Sequence, residues 1–193
     1  MEKQLVTLLQ QLEEFGTQND LEKEQKEERM RNITRDTGKL LAFFIKLTKA
    51  RNIIEIGTSN GYSTLWLAAA AEQNGGRVKT LEVSEYKAQL AKDNFSKSGL
   101  SDRILLYEMD AGHFLEKEKT ESIDFIFLDS ERYHYVSWWK DILRILKPGG
   151  LIVIDNVISH ASEFELFKNL VNNTKDIEVV TIPQDSGLML ITK

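Results

Sequence analysis

The sequence contains no cysteine among its 193 residues. This absence excludes disulfides, thiolate nucleophiles and metal sites built on sulfur, and it suits a cytoplasmic protein. No apolar run approaches the length that a membrane span requires. The amino-terminal stretch MEKQLVTLLQQLEEF is amphipathic and acidic, without the apolar core or cleavage site of a signal peptide. We therefore expect a cytoplasmic location.

An excess of basic residues is also missing, since 25 lysines and arginines stand against 30 aspartates and glutamates, a net charge of −5. Nucleic acids and membrane surfaces attract basic patches, so this balance argues against both as partners. A hydrophobic fraction of 41% and a charged fraction of 28% are typical of a globular protein. We expect one domain over residues 1–193, with a small molecule as its partner.

Residues 1–50 have helical periodicity and are predicted to form an amino-terminal arm or lid. Two apolar stripes mark its helices: Leu5, Leu8, Leu9 and Leu12, then Leu40, Leu41, Phe44, Ile45 and Leu47. Between them, Glu22–Arg31 carries dense charge of both signs. We interpret this run as a solvated helix face rather than a specific binding patch.

Residues 51–193 alternate between short apolar runs and helical segments, which predicts an α/β core. Predicted strands are Ile53–Ile56, Val78–Glu82, Ile104–Tyr107, Ile123–Leu128, Leu151–Ile154, Ile177–Ile182 and Leu188–Thr192. Predicted helices are Ser63–Gln73, Glu85–Ser98, Ala111–Lys117, Tyr135–Leu146 and Glu163–Asn172, with Pro148-Gly149-Gly150 as the turn after the fourth. This pattern indicates a seven-stranded, mostly parallel sheet with helices on both faces and an antiparallel hairpin at the carboxyl terminus, turning at Asp185-Ser186-Gly187.

A glycine turn follows the first predicted strand in the stretch EIGTSNGYS. Ligands of open parallel sheets bind at the carboxyl ends of the strands, where glycines allow the backbone to approach them closely. The spacing E-x-G-x-x-x-G, from Glu55 through Gly57 to Gly61, differs from the dinucleotide fingerprint G-x-G-x-x-G. By itself the turn is equally consistent with glycines that only reverse the chain.

Two further acids follow the next two strands. Glu82 ends the second strand, where a carboxylate can accept both hydroxyls of a ribose. Asp110 follows the third strand, where an acceptor can reach an adenine amino group. Each could instead be a helix cap or a loop residue. Together with Glu55 they indicate a nucleoside site that has no phosphate to hold.

With these motifs in order, the stretch from Ile33 to Lys193 resembles the class I S-adenosylmethionine-dependent methyltransferases, and among them the small catechol and caffeoyl-CoA O-methyltransferases. EIGTSNGYS and LEVSE resemble the first two family motifs, and IDFIFLDSERYHY, LKPGGLIVIDNVISH and IPQDSGLMLITK resemble the later ones. NITRDTGKLLAFFIKL is similar to the family segment that covers the cofactor. The resemblance implies a Rossmann-like fold and S-adenosyl-L-methionine as the methyl donor.

The resemblance also implies roles for the matching positions. Glu55 would organise the turn and hold the cofactor's amino group, Ser63 would bind its carboxylate, and Glu82 would bind the ribose. The other cofactor-binding positions are Gly57, Thr58, Ser59, Gly61, Asp110 and Ala111.

A second group of polar residues follows the fourth and fifth strands. Asp129, Asp155 and Asn156 should converge at one edge, because these strands are expected to be neighbours. Two carboxylates and an amide oxygen suit Mg²⁺, or Ca²⁺ or Mn²⁺. From spacing alone it is equally consistent that Asp155 or Asn156 caps the next helix and that Asp129 only shapes a loop. In the metal-dependent relatives these three positions bind the metal, which would lower the pKa of a catechol-type hydroxyl for attack on the sulfonium methyl group.

Arg132 departs from the family pattern, which usually has a lysine three residues after the first metal acid. Arginine stays protonated, so Arg132 cannot be the general base, although it can stabilise an oxyanion or bind a substrate carboxylate. Asp129 and Arg132 are the predicted catalytic pair. Removal of the hydroxyl proton would then fall to the metal, to water or to a histidine, and His134 and His160 are the candidates. Each histidine is also consistent with a surface position or the start of a helix.

Other interpretations stay open. Tyr133, Tyr135, Trp138 and Trp139 are interpreted as packing residues, with the tryptophans divided between core and surface. A metal-independent methyltransferase or a non-catalytic nucleoside-binding module would use the same fold. An NAD(P)-linked oxidoreductase requires the fingerprint that Ser59 and Tyr62 break, and a nucleic-acid methyltransferase is disfavoured by the acidic balance. The amphipathic arm is compatible with a homodimer.

Overall fold

The computed structural model describes residues 2–193, which form one seven-stranded sheet flanked by helices. The strands are β1 Asn52–Ile56, β2 Arg77–Glu82, β3 Ile104–Glu108, β4 Ile123–Leu128, β5 Leu146–Ile154, β6 Glu178–Ile182 and β7 Leu188–Thr192. The helices are α1 Lys3–Glu22, α2 Arg35–Thr48, α3 Tyr62–Gln73, α4 Glu85–Ser98, α5 Ala111–Lys117, α6 Tyr135–Ile145 and α7 Glu165–Asn172. The predicted α/β fold is confirmed.

The sheet order is β3-β2-β1-β4-β5-β7-β6. Strands β1 to β5 pair in parallel, and β7 pairs antiparallel with both β5 and β6. Strand order reverses between β1 and β4, which is the switch point where a ligand cleft is expected. The predicted hairpin turn is also confirmed, since the Gly187 amide donates to the Gln184 carbonyl at 2.8 Å.

Two apolar cores lie on opposite faces of the sheet. One face is covered by α1 to α4, with Leu9, Leu41 and Phe95 among its buried residues. The other face is covered by α5 to α7 and includes Phe114, Trp139 and Phe167. Because both faces are covered, the central strands read as nearly continuous apolar runs.

The charged run Glu22–Arg31 was wrongly interpreted as a helix face. α1 ends at Glu22, and the segment Lys23–Asn32, which we call the strap, turns back along the helix with one 3₁₀ turn at Lys26–Glu28. The side chain of Asn32 packs so closely that a Cβ on Gly16 would lie 2.5 Å from its amide nitrogen. The lack of a side chain at Gly16 therefore allows the strap to pack closely against α1.

Several smaller predictions also differ from the structure. Pro148-Gly149-Gly150 lies inside β5, where the register with β4 moves from Ile123↔Leu146 to Phe125↔Leu151, so the extra residues form an irregularity rather than a turn before the strand. Leu47 is exposed because it lies at the outer side of α2.

Trp138 and Trp139 are both buried, because Trp138 packs against Gly112 of α5 and Trp139 packs against Phe167 of α7. The predicted last helix, Glu163–Asn172, is a 3₁₀ turn over Ala161–Phe164 followed by α7.

Candidate active site

The carboxyl ends of the strands bring the predicted site residues to one edge. In the register, Ile56 lies opposite both Leu81 and Leu128, and Leu128 lies opposite Ile154. The next residue of each strand therefore reaches the same level. The Asp129 amide donates to the Ile56 carbonyl at 3.0 Å, and the Asp155 amide donates to the Leu128 carbonyl at 3.1 Å. This edge opens into a cavity of about 840 Å³.

The glycine turn needs both of its glycines. Gly57 has φ +106°, and a Cβ there would lie 2.1 Å from the Asp129 carbonyl oxygen. Gly61 has φ +87°, and a Cβ there would lie 2.5 Å from the ring of Phe95. Positive φ and close backbone approach both exclude a side chain at these positions. The turn and the fourth strand are therefore packed directly against each other.

Glu82 is buried at the wall of the cleft and holds the glycine turn against β2. Its carboxylate accepts the amide of Ser59 at 2.8 Å and the amides of Val83 and Ser84, both at 2.9 Å. Three N–H donors orient the carboxylate at the strand end. This is the position that the sequence predicts for a ribose ligand.

Glu55 lies beneath the cleft rather than at its surface. Its carboxylate accepts hydroxyl hydrogen bonds from Ser63 and Thr80, both at 2.6 Å, and from Thr64. Burial raises the pKa of Glu55 to about 7, although the three hydroxyls act in the opposite direction. Ser63 borders the cleft directly above it. Glu55 therefore reaches the cleft through Ser63 and anchors the start of α3.

Asp110 and Ala111 lie at the start of α5 and border the far end of the cleft. Asp110 is the N-cap of this helix and accepts the amide of His113 at 3.1 Å. The helix is packed so closely against α6 that a Cβ on Gly112 would lie 2.9 Å from Nε1 of Trp138. Asp110 therefore serves as a cap and also lines the cleft.

Asp129, Asp155 and Asn156 converge at the near end of the cleft, as predicted. The Asn156 amide nitrogen donates to Asp129 Oδ1 at 3.1 Å and to Asp155 Oδ2 at 3.2 Å. Burial, followed by the charges of Asp155 and Glu55, raises the pKa of Asp129 to about 8. Burial also raises the pKa of Asp155. Asp155 is buried and Asp129 is half-buried. Two such carboxylates that share one amide donor form a site that favours a cation.

The donor set fits a hard divalent cation. Within residues 2–193, His, Cys, Asp and Glu side chains form no group of three or more arranged to hold a metal ion. Asp129 and Asp155 are a pair, and Asn156 would supply the third oxygen after rotation of its amide group, whose nitrogen faces both carboxylates in this structure. Asn156 adopts φ +69°, a left-handed conformation that asparagine tolerates better than most residues.

Arg132 extends toward the same end of the cleft from the 3₁₀ turn after β4. Its guanidinium donates to Glu163 Oε2 at 3.0 Å and lies 6.0 Å from the centroid of the Phe164 ring. The charge of Arg132 lowers the pKa of both Asp129 and Asp155, against the larger effect of burial. Arg132 is therefore a fixed positive charge beside the acid pair.

The two candidate histidines border different parts of the cleft. His160 follows the acid pair, with its backbone amide 3.1 Å from the Asn156 carbonyl and its Nδ1 2.8 Å from Ser159 Oγ. His134 stacks on Trp138 with ring centroids 4.8 Å apart. Trp138 also contacts Gly112, so His134 lies toward the Asp110 end of the cleft.

Several lining residues were missed by the sequence analysis. The strap covers the cleft, and the Met30 carbonyl accepts a hydrogen bond from Ser59 Oγ at 2.8 Å. Ser186, in the carboxyl-terminal hairpin, donates to Asp155 Oδ1 at 3.3 Å. Glu163 was regarded only as the start of a helix. These contacts join segments distant in the chain, and no local pattern marks them.

Comparison with known proteins assigns the chain to a family. The family model described as O-methyltransferase matches residues 3–193. The chain belongs to the O-methyltransferase family. The predicted resemblance is therefore confirmed for nearly the whole chain.

Named relatives of this chain agree with the family assignment. A catechol O-methyltransferase from Niastella koreensis is 36% identical over 130 residues, which cover 66% of this chain and 58% of that protein. The chain thus spans a little over half the length of this curated relative. An O-methyltransferase from Bacillus cereus in complex with SAH has a TM-score of 0.80 and 27% identity, covering 97% of this chain and 91% of that one.

A further structural neighbour supports the fold of this chain. The SAH-bound methyltransferase from Podospora anserina has a TM-score of 0.84 at 22% identity, covering 100% of this chain and 88% of that one. The predicted Rossmann-like fold is confirmed by this similarity. Among the described helices, none combines the length and apolarity needed to cross a membrane.

Proposed function

We propose that this chain is an S-adenosyl-L-methionine-dependent O-methyltransferase that methylates a hydroxyl group of a small, catechol-like aromatic acceptor with the help of a divalent cation. The observation that carries the proposal is the position of the acid pair. Asp129 lies directly beside Gly57 of the glycine turn, so a donor bound at the turn and an acceptor bound at the acids would be neighbours. Such proximity is the main requirement of a direct transfer reaction.

The methyl donor is assigned to the end of the cleft formed by β1, β2 and α5. Glu82 would bind the ribose, and Asp110 and Ala111 would border the adenine. The backbone of Gly57, Thr58, Ser59 and Gly61 would lie against the donor. Ser63 would bind its carboxylate while Glu55 holds Ser63 in place. A donor with a sulfonium and an ammonium group is cationic, which suits a cleft lined by acids.

The acid pair is assigned to a divalent cation, Mg²⁺ or alternatively Ca²⁺ or Mn²⁺. Asp129, Asp155 and Asn156 would hold it through oxygen atoms, as hard cations prefer. A bound cation would supply a Lewis acid that lowers the pKa of an acceptor hydroxyl. Without it, burial and then the charge of Asp155 raise the pKa of Asp129, and burial raises the pKa of Asp155.

The chain's own residues would then orient the acceptor for in-line attack on the methyl group. Arg132 remains protonated and would stabilise the developing oxyanion. The hydroxyl proton would pass to water or to a histidine of the cleft, where His134 and His160 both lie. As methyl transfers, the acceptor oxygen gains the new bond to carbon and the sulfur regains its lone pair.

Methyl transfer to catechol, measured with and without EDTA, tests this proposal. We expect transfer in the presence of Mg²⁺, loss of turnover after EDTA treatment, and recovery when Mg²⁺ is restored. Full turnover in EDTA would favour the metal-independent methyltransferase instead. Calorimetry with S-adenosyl-L-methionine that shows no binding would favour a non-catalytic module.

Cytoplasmic location and a homodimer remain predictions, and light scattering after size exclusion would test the dimer.

A further inference from the structure

Arg132 is enclosed by two consecutive residues of the 3₁₀ turn at Ala161–Phe164. Glu163 accepts its hydrogen bond at 3.0 Å, and the buried Phe164 ring lies 6.0 Å from the guanidinium carbon. The Arg132 side chain is only 11% exposed, whereas that of Glu163 is 50% exposed. Glu163 therefore occupies the solvent side of the guanidinium, at the mouth of the cleft.

The fold fixes Glu163 in this position. Its backbone amide donates to the His160 carbonyl at 2.9 Å. The neighbouring Phe164 packs against Tyr135 and Phe167, with ring centroids 6.1 and 6.4 Å apart. The carboxylate of Glu163 is thus held beside Arg132 by a turn that is anchored in the core.

In this arrangement the positive charge of Arg132 is neutralised by a carboxylate of the protein itself. With a divalent cation bound, Asp129 and Asp155 would both be ionised, and the cation would balance their two negative charges. Glu163 balances Arg132. An acceptor with its own carboxylate would meet the carboxylate of Glu163 at the mouth, where Arg132 is already paired with Glu163. Like charges brought together at a binding site reduce affinity.

We propose that Glu163 is a specificity-determining residue that makes the site favour uncharged aromatic diols over carboxylated ones. The inference rests on the proposed function and specifies its acceptor class. It differs from a role of Arg132 in binding a substrate carboxylate, because in this structure Glu163 occupies that partner position. Removing the charge of Glu163 should free Arg132 and admit an acidic acceptor.

The experiment compares catechol with 3,4-dihydroxybenzoate as acceptors for the wild type, Glu163→Gln and Glu165→Gln. Glu165→Gln is the matched control, since Glu165 is exposed, lies two residues away and does not border the cleft. We expect the wild type to favour catechol in kcat/KM. Glu163→Gln should shift the ratio of the two kcat/KM values about tenfold toward the carboxylated acceptor. Glu163→Asp should restore the wild-type preference, and Glu165→Gln should not change it.

Binding calorimetry with both acceptors, in the presence of S-adenosylhomocysteine and Mg²⁺, reads the preference without turnover. Tighter binding of 3,4-dihydroxybenzoate by Glu163→Gln than by wild type supports the proposal. An unchanged preference in Glu163→Gln, or an equal shift in Glu165→Gln, overturns it. Binding with the expected preference but without methyl transfer would contradict the proposed function alone. Failure of every variant to bind either acceptor would overturn both.

Discussion

Glu55 is buried and Asp129 is half-buried; both carboxyl groups have a raised pKa, but their surroundings differ. Glu55 is surrounded by hydroxyl donors from Ser63, Thr64 and Thr80, so both of its oxygens accept hydrogen bonds. Asp129 faces a second carboxylate, Asp155, and shares one amide donor with it. Glu55 is therefore satisfied by the protein alone, whereas Asp129 lacks a compensating cation of its own apart from Arg132 among the described residues.

The first prediction concerns the pH dependence that Glu55 gives to stability. Its pKa is about 7 in the folded protein, against an ordinary value of 4.5 for a glutamate side chain, so between these pH values the folded state holds a proton that the unfolded state releases. The stabilisation is complete below the lower value and is lost as pH rises through the upper one. The free energy of unfolding of the wild type should therefore fall by on the order of 3 kcal/mol over this range, and that of Glu55→Gln should not.

Urea unfolding at several pH values between about 5 and 8, without divalent cations, measures this effect. We expect the free energy of unfolding of the wild type to decrease relative to that of Glu55→Gln across this range. Parallel curves for the two proteins would contradict the raised pKa of Glu55.

The second prediction concerns the acid pair. The pKa of Asp129 is raised from 3.8 to about 8, so its stabilising contribution is likewise lost as pH rises through the upper value. Without divalent cations at about pH 9, Asp129→Asn should therefore be more stable than the wild type, by on the order of 2 kcal/mol. Addition of Mg²⁺ should stabilise the wild type and leave Asp129→Asn unchanged.

Thermal unfolding with and without Mg²⁺ measures both parts of this prediction. Asp102→Asn is a matched control. Asp102 is exposed on the 3₁₀ turn before β3, and its substitution by asparagine removes the same carboxylate charge. An equal Mg²⁺ response in the wild type and in Asp129→Asn would show that the ion does not bind at the acid pair.

At the scale of elements, the strap and the glycine turn depend on each other. Asp20, in the last turn of α1, accepts the amides of Met30 at 2.6 Å and Arg31 at 2.8 Å. Met30 in turn accepts the hydroxyl of Ser59. One carboxylate thus fixes the strap, and the strap contacts the turn assigned to the methyl donor.

The third prediction follows from this connection. Asp20→Ala should loosen the strap and weaken S-adenosyl-L-methionine binding about tenfold, because two hydrogen bonds to a charged group are lost. Trypsin should cleave the strap faster, since the strap contains several lysines and arginines. Asp36→Ala is the control, because Asp36 is exposed and pairs only with Lys39 among the described residues. Unchanged affinity and cleavage would show that the strap is held by other contacts.

At the scale of the whole molecule, the arm and the α/β core form one unit. Leu5, Leu8, Leu9 and Leu12 of α1 belong to the same buried cluster as residues of α2, α3 and α4. Arg35 of α2 also donates to Glu13 of α1 at 2.7 to 3.1 Å. A shared core implies that the arm and the sheet unfold together.

The fourth prediction tests this shared core. Leu9 is 2% exposed, so Leu9→Ala should reduce the free energy of unfolding by roughly 2–5 kcal/mol. Leu21 on the same helix is 78% exposed, and Leu21→Ala should change it by less than about 0.5 kcal/mol. Far-ultraviolet circular dichroism and tryptophan fluorescence should report a single transition in both variants. Separate transitions would show that the arm unfolds independently.

Much of the fold could be predicted from local pattern. Strands such as Ile123–Leu128 are apolar runs bounded by polar residues, and helices such as Glu85–Ser98 begin at a capping serine and end before a glycine. Errors occurred where tertiary contacts outweigh local preference. The chain around Pro148 joins β5 through pairing with its neighbours, and Trp138 is buried because α6 lies between other elements.

The sequence by itself determined the α/β order, the glycine turn and the acids at the strand ends, because strand periodicity, glycine spacing and strand-end chemistry are local properties. It also carried the family motifs that the comparison confirmed. Only the tertiary structure decided that Glu55 lies below the cleft, that the strap covers it and that Glu163 pairs with Arg132. Each of these depends on which distant segments meet, and the packing of the complete chain decides that rather than the pattern of any one segment.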